Sequence, residues 1–277
     1  MTLVIKSLGT TAPSGAKKLY RDALVVNGTL FHVDFSNRGS LNNFNIRKDS
    51  LVYDLSRESS IPLGITTTGS VNLISDIDLT LTDGKGFTLE NPNLPVNKNQ
   101  GLYFNAADLM SYLVNNQPHC VWVGWARRKI NADDTNNELV RSVSGGDYSI
   151  KNIRSNITYN TLTPTFGGGS YQIPINEGEL FQFAIEFTSG QKNKVYLNKN
   201  FIGDGSVVSS GFIPADKFGL FNSNVGTPTG AAFYRTFIED LDVSGRKVED
   251  ILQKDWQYVH GIGQFEGVEK RPFVDNY

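Results

Sequence analysis

Alternation of apolar and polar residues along most of the 277-residue chain points to an all-β fold, a sandwich or a barrel, with one short helix near the C-terminal end. Three stretches carry that expectation. In residues 179–187, Phe181, Phe183, Ile185 and Phe187 share one face, opposite a mixed face of Leu180, Gln182, Ala184 and Glu186. That is the period of a strand with one side in a core. Residues 195–203 give two short apolar runs around Asn198, Lys199 and Asn200, the pattern of a β-hairpin. Near the end, Val248, Ile251, Leu252 and Trp256 recur at i, i+3, i+4 and i+8, an apolar helical stripe that Gly261 stops.

The remaining elements follow in order. Residues 1–28 read as an N-terminal arm: a short apolar run at residues 3–5, a linker rich in Gly, Thr and Pro over residues 9–15, and a second run at 23–26 ending on the turn pair Asn27 and Gly28. Such an arm adds to a neighbour or packs loosely. From Leu30 the pattern turns steadily β, with strands expected in residues 30–35, 71–74, 77–82, 101–104, 119–126, 148–153 and 217–221. Helical pattern is scarce, and residues 106–114 form the other short candidate. The expected organisation is an arm at 1–28, one sandwich domain at 29–261 and a tail at 262–277. Sandwiches of roughly 200–250 residues commonly form one unit.

Composition narrows function. Lys plus Arg total 26 against 28 acidic residues, a formal charge of −2, so nucleic acid is disfavoured as the main ligand. The single cysteine, Cys120, sits beside Val121, Trp122 and Val123 and reads as a buried, inert thiol. The N-terminus lacks the features of a secretory signal, and no apolar run approaches the roughly 20 residues of a membrane span. These features suit a chain made and folded in a reducing cytoplasm.

The order of segments resembles the laminin G-like, concanavalin A-like jelly roll. Residues 101–105 are similar to an early strand of that family, 121–125 to its central strand, 181–187 to the strand before its hairpin and 195–203 to the hairpin itself. Residues 238–243 look like its last strand, followed by a turn at Ser244 and Gly245 and a helix with an acidic start at Glu249 and Asp250. The family's hairpin usually has Gly where this chain has Lys199, which leaves the turn type open, with Asn198 or Asn200 available for the left-handed conformation. The resemblance implies an all-β, concanavalin A-like antiparallel β-sandwich with one short C-terminal helix and an N-terminal arm. Residues 3–35 also resemble the start of small bacteriophage tail proteins that dock by an arm and display a jelly roll.

Catalytic patterns weigh less. Glu177 with Glu179, and Asp240 with Asp242, have the i, i+2 spacing that would set two carboxylates on one strand face, as a sandwich glycosidase requires. The glucanase pattern needs a third carboxylate where this chain has Gly245, so solvated structural acids are the favoured reading. His32, His119 and His260 are the only histidines, no Gly-x-Ser-x-Gly elbow occurs, and a zinc site has no support. Asp133, Asp134 and Asn136 offer oxygen ligands for calcium, although the loop lacks EF-hand spacing and reads first as an ordinary polar loop. Tyr159, Phe166 and Tyr171 in a long polar loop are the candidates for stacking on sugar rings, against a role in covering a sheet edge or meeting a neighbouring subunit. Trp122 and Trp125 are expected in the core.

The expected function is therefore a non-enzymatic structural protein of a phage tail, at the baseplate or fibre, located in the virion and made in the host cytoplasm. Its expected partners are other tail subunits, further copies of itself (a trimer if it belongs to a fibre) and a host surface glycan, with no cofactor beyond the candidate calcium. The alternative is a carbohydrate-binding module or a glycan-degrading sandwich enzyme.

Overall fold

The structure, a computed structural model, describes residues 22–37, 39–41, 46–72, 79–82, 84–89, 101–128, 137–138, 140–143, 150–156, 161–166, 169–171, 173–176, 178–207, 212, 217–220 and 231–261. In chain order these hold β1 (Thr29–Asp34), β2 (Leu51–Tyr53), α1 (Arg57–Ser60), a 3-10 turn (Ile61–Leu63), β3 (Thr68–Asn72), β4 (Leu79–Leu81), β5 (Phe87–Leu89), β6 (Gly101–Asn105) and α2 (Ala107–Asn116). Next come β7 (Cys120–Arg128), β8 (Asn137–Glu138), β9 (Val140–Val143), β10 (Ile150–Asn156), β11 (Thr161–Phe166), β12 (Gly169–Ser170) and β13 (Ile173–Pro174). The chain continues through β14 (Leu180–Phe187), β15 (Lys192–Leu197), β16 (Asn200–Val207), β17 (Lys217–Leu220), β18 (Ala231–Asp240), α3 (Leu241–Ser244) and α4 (Val248–Val259).

Among the described residues all the strand pairs are antiparallel. The first sheet runs β16-β15-β14-β7-β18-β5-β4, with β1 also on β18. The second runs β2-β3-β6-β17-β9, and a third runs β12-β11-β10-β8 with β13 on β11. The first two sheets face each other across one continuous core that includes Phe31, Phe35, Phe87, Phe104, Trp122, Phe183, Ile185 and Phe187. Phe31 meets Phe104 edge-on at 5.0 Å between ring centroids, and Phe35 stacks on Phe87 at 5.0 Å. This is the expected all-β sandwich.

Each facing sheet uses the same device to hold an aromatic ring flat. Gly124 on β7 stands directly across from Phe183 on β14, and a β-carbon at Gly124 would come 2.2 Å from the Phe183 ring tip. In the second sheet Gly69 on β3 faces Phe104 on β6, where a β-carbon would come 2.5 Å from the ring. Each ring fills the space its glycine leaves and seals the sheet there.

The first sheet departs from one-sided alternation. Both faces of β14 are buried along most of its length, and so are all six residues of β1. For β14 the reason is α4, which lays Val248, Ile251 and Leu252 over Val121, Val123, Ala184, Tyr196 and Phe237 on the outer face. Trp122 and Trp125 are both core residues, but on opposite sides: Trp122 belongs to the inter-sheet core and Trp125 to the layer beneath the helix. Trp256, expected as the last residue of the apolar stripe, is only half-buried and stacks on His260 at 4.1 Å, whereas Asp255 is fully buried. Residues 22–28, the described end of the expected arm, pack on the same sandwich, where Leu24 and Val25 are buried and Gly28 O accepts Asp240 N.

Two local expectations change. The β15–β16 hairpin turns through Asn198 and Lys199, both with positive φ (48° and 72°), so Lys199 itself adopts the left-handed conformation and Asn200 begins the next strand. Two consecutive left-handed residues match the twist of the flanking strands. The last strand ends at Asp240, and residues 241–244 form a helical turn that Asp240 caps by accepting Val243 N at 3.1 Å. Asp240 and Asp242 therefore do not alternate along one strand face.

Candidate functional site

Two polar assemblies lie on the outer face of the first sheet, and the first is set by a β-bulge. Pairing of β18 with β7 steps from Phe233 opposite Ala126 to Arg235 opposite Trp125, which leaves Tyr234 as the extra residue. Strict alternation from the core residue Phe233 would turn Arg235 into the apolar core. The bulge instead places it under α4. There Arg235 Nη1 donates to Asp34 Oδ2 at 2.7 Å and to Asp22 Oδ2 at 3.0 Å, while Nε donates to Asp255 Oδ1 at 2.9 Å. Asp255 Oδ2 also accepts Trp125 Nε1 at 2.6 Å and Gln182 Nε2 at 2.8 Å. The guanidinium lies 4.7 Å from the Tyr258 ring centroid.

Charge in this layer is unequally held. Burial opposes ionisation of Asp22, yet Arg235 and its hydrogen bonds hold that carboxyl well below the usual carboxylate range. At Asp34 and Asp255 burial prevails over Arg235 and pushes both upward. Burial and Arg235 together press His32 down to about 3, so the ring is neutral, with Nε2 3.9 Å from Asp22 Oδ2.

The second assembly lies where β7, β14 and β18 end, at the border with solvent. Glu186 Oε2 accepts the Tyr196 hydroxyl at 2.6 Å, and Oε1 accepts Lys194 Nζ at 3.1 Å. His119 Nε2 lies 2.8 Å from the same Oε1, where an ionised carboxylate requires Nε2–H. Although burial works against it, these three hydrogen bonds hold Glu186 below its ordinary pKa. Glu186 is 8% exposed, whereas His119 is 36% and Lys194 49% exposed. Beside them Asp242 accepts His119 N at 3.0 Å, and Asp240 accepts the Tyr112 hydroxyl at 2.7 Å. A carboxylate held this way is a fixed anion rather than a proton donor. Its chemical use is to present an imidazole and an ammonium at the surface in one orientation.

Sequence reasoning did not find this assembly, because its members come from separate strands and no spacing links them. The residues it did single out are placed as follows. Tyr171 lies between β12 and β13, half-buried, and donates to Ile202 O at 3.1 Å with its ring against Gly203. Residues 161–166, expected as loop, form β11; Phe166 is its last residue, and Tyr159 lies outside the described residues. Asp133, Asp134 and Asn136 also lie outside them. Glu179 accepts Asn176 Nδ2 at 2.9 Å, and Glu177 is outside the described residues. Among the described residues no three His, Cys, Asp or Glu side chains converge as a metal ion would need. No helix among them is long and apolar enough to cross a membrane.

Comparison with known proteins places this architecture among sandwiches of very different sequence. No protein-family model matches the chain, and no curated protein matches it in sequence. Among solved structures it is similar to Trypanosoma rangeli sialidase in complex with the inhibitor DANA, at 12% identity and a TM-score of 0.57, covering 92% of this chain and 36% of that one. It is also similar to the binding domain of botulinum neurotoxin DC in complex with rat synaptotagmin II, at 12% identity and a TM-score of 0.56, covering 84% of this chain and 52% of that one. A further receptor-binding domain matches at 13% identity and a TM-score of 0.56, over 84% of this chain and 52% of its own. The chain thus spans about a third of the sialidase and about half of the neurotoxin domain. What is shared is the β-sandwich.

Proposed function

We propose that the protein is a non-catalytic recognition sandwich that contacts a glycan or a protein receptor and serves as a subunit of a virion tail. The observation that carries the non-catalytic part is how the described carboxylates of interest are used. Asp240 caps a helical turn and accepts Tyr112, Asp242 accepts a backbone N–H, and Glu186 is bound by three donors. A glycosidase needs one carboxyl able to give up a proton beside a second free to attack or activate water. These acids are committed to fixing the fold.

The recognition part is supported by the neurotoxin binding domain of similar fold, which binds synaptotagmin, and by the half-exposed His119 and Lys194 on Glu186, which offer oriented donors to an anionic or hydroxyl-rich partner. In the tail reading, the arm at 1–28 and the tail at 262–277 would contact neighbouring subunits. Copies would assemble as a trimer if the protein belongs to a fibre, Tyr159 and, at the end of β11, Phe166 would stack on sugar, and calcium would bind at Asp133, Asp134 and Asn136. Glycan-array binding by the full chain, run beside a hydrolysis assay on sialosides and β-glucans, tests this reading. Binding without turnover is expected, and turnover abolished by Asp240→Ala or Glu179→Ala would overturn it in favour of a glycan-degrading enzyme.

A further inference from the structure

Phe201 stands out from the other large apolar side chains. At 54% it is the most exposed of them among the described residues, and the only aromatic ring in that exposed group. It sits on β16 directly opposite Tyr196 on β15, and the two rings meet edge-on with centroids 5.7 Å apart. Tyr196 belongs to the layer under α4, so Phe201 lies on that same outer face, on the last strand of the first sheet. Lys194 is two residues from Tyr196 and stands opposite Glu186, which puts it on this face too. Diagonal cross-strand neighbours lie about 7–8 Å apart, so one ligand can span Phe201 and Lys194. The exposed ring thus borders the Glu186 assembly and is joined to it through Tyr196, whose hydroxyl donates to Glu186 Oε2.

We propose that Phe201, Lys194 and His119 form a binding site for a neutral oligosaccharide, with one pyranose ring stacked on Phe201 and hydroxyls of its neighbour held by Lys194 Nζ and His119 Nδ1. The site rests on the recognition reading above and names its ligand. Three arguments lead there. An exposed ring beside a few fixed polar groups suits a sugar, which has an apolar C–H face and a rim of hydroxyls, whereas a stable protein interface needs a broader apolar centre. The polar groups are also complementary. Lys194 Nζ has N–H groups left after its bond to Glu186, while the Nε2–H of His119 is committed to Glu186 and leaves Nδ1 of the neutral ring as an acceptor. Nδ1 makes no hydrogen bond among the described residues and is open to solvent. Sugar hydroxyls both donate and accept, so they can use the two groups together. Finally, negative charge outweighs positive here. Asp204 from β16 and Glu249 from α4 both act on the Tyr196 hydroxyl and oppose its ionisation, Asp242 holds His119 N, and Glu186 offsets the charge of Lys194 itself. That balance disfavours acidic sugars.

The test is an array of neutral oligosaccharides beside their sialylated and sulfated counterparts, read as apparent Kd over a dilution series of the full-length protein. Wild type should bind neutral glycans and should bind the charged counterparts more weakly. Phe201→Ala should weaken binding about tenfold, the usual effect of removing an aromatic anchor, and Phe201→Tyr should keep it. His119→Gln, whose amide can donate to Glu186 and accept from the ligand, should retain most of the affinity. His119→Lys keeps a partner for Glu186 but offers no acceptor, and should lose it. If a His119 variant fails to fold, the Phe201 pair decides, because that side chain is more than half exposed. Neutral-glycan binding unchanged in Phe201→Ala would overturn this site and leave the recognition reading standing. A preference for the charged glycans, lost in Lys194→Met, would overturn the neutral assignment. Binding to no glycan at all would overturn the site together with the glycan half of that reading.

Discussion

Arg235 and Asp34 face each other across neighbouring strands, both fully buried, joined by a 2.7 Å hydrogen bond that exists because Tyr234 is an extra residue in β18. The bulge turns a guanidinium away from a core of Phe and Trp rings and into a layer of three aspartates. That layer binds together chain segments far apart in sequence: residue 22 ahead of the first strand, residue 34 in it and residue 255 in the last helix.

Removing the cation should leave three buried acids without their partner. Arg235→Met, similar in volume, is expected to lose about 3–5 kcal/mol of unfolding free energy, read from urea denaturation. Adding Asp22→Asn, Asp34→Asn and Asp255→Asn should recover part of that loss, because the neutral amides no longer need a counter-charge. A single-variant cost near zero would show that the layer is not a closed ion-pair network.

Acid should weaken the fold through His32. The fold accommodates only the neutral ring, whose pKa falls from 6.5 to about 3. Stability from this group is complete above pH 6.5 and drops as pH falls toward 3, by about 1.4 kcal/mol per unit, because the unfolded chain takes up a proton that the native state refuses. Asp54, raised to about 6, acts with the opposite sign between that value and its ordinary one, as do Asp34 and Asp255 over their own windows. The difference between wild type and His32→Gln therefore isolates the histidine. It should shift steadily against wild type between pH 6.5 and 4, and a flat difference would contradict a buried neutral His32.

Gly124→Ala should cost about 1–3 kcal/mol, since the new methyl group must displace a Phe183 ring that is fully buried and edge-packed on Trp122 at 5.6 Å. Coupling with Phe183→Leu should recover part of the loss in a double-mutant cycle. Strict additivity of the two changes would mean that the ring moves aside freely.

Cys120 should resist alkylation in the native protein. It is fully buried, and burial, with Asp240 and Asp242 nearby, pushes the thiol well above its ordinary pKa. Mass spectrometry after iodoacetamide treatment should find no adduct until denaturant is added, and rapid modification without denaturant would put the start of β7 at the surface.

Much of the architecture was legible because apolar periodicity is a local record of burial. Phe181, Phe183, Ile185 and Phe187 predicted the inner face of β14, and Val248, Ile251 and Leu252 predicted a helix lying on a sheet. The hairpin was readable too, although its turn was not: Lys199 takes a left-handed conformation that its side chain alone would not suggest. The polar assemblies were hidden for a different reason. Asp34, Arg235 and Asp255 give no motif, and neither do His119, Glu186 and Tyr196, since hydrogen-bonding geometry arises only when distant segments are brought together.

Sequence alone determined that the chain would be mostly β, a sandwich or a barrel, with a helix near its end, because each strand and helix writes its buried face into its own few residues. Tertiary structure decided which face Arg235 would take and which acids would be used inside the fold. Those outcomes depend on register and on one inserted bulge residue, and a shift of one position in a strand exchanges its faces without changing its composition.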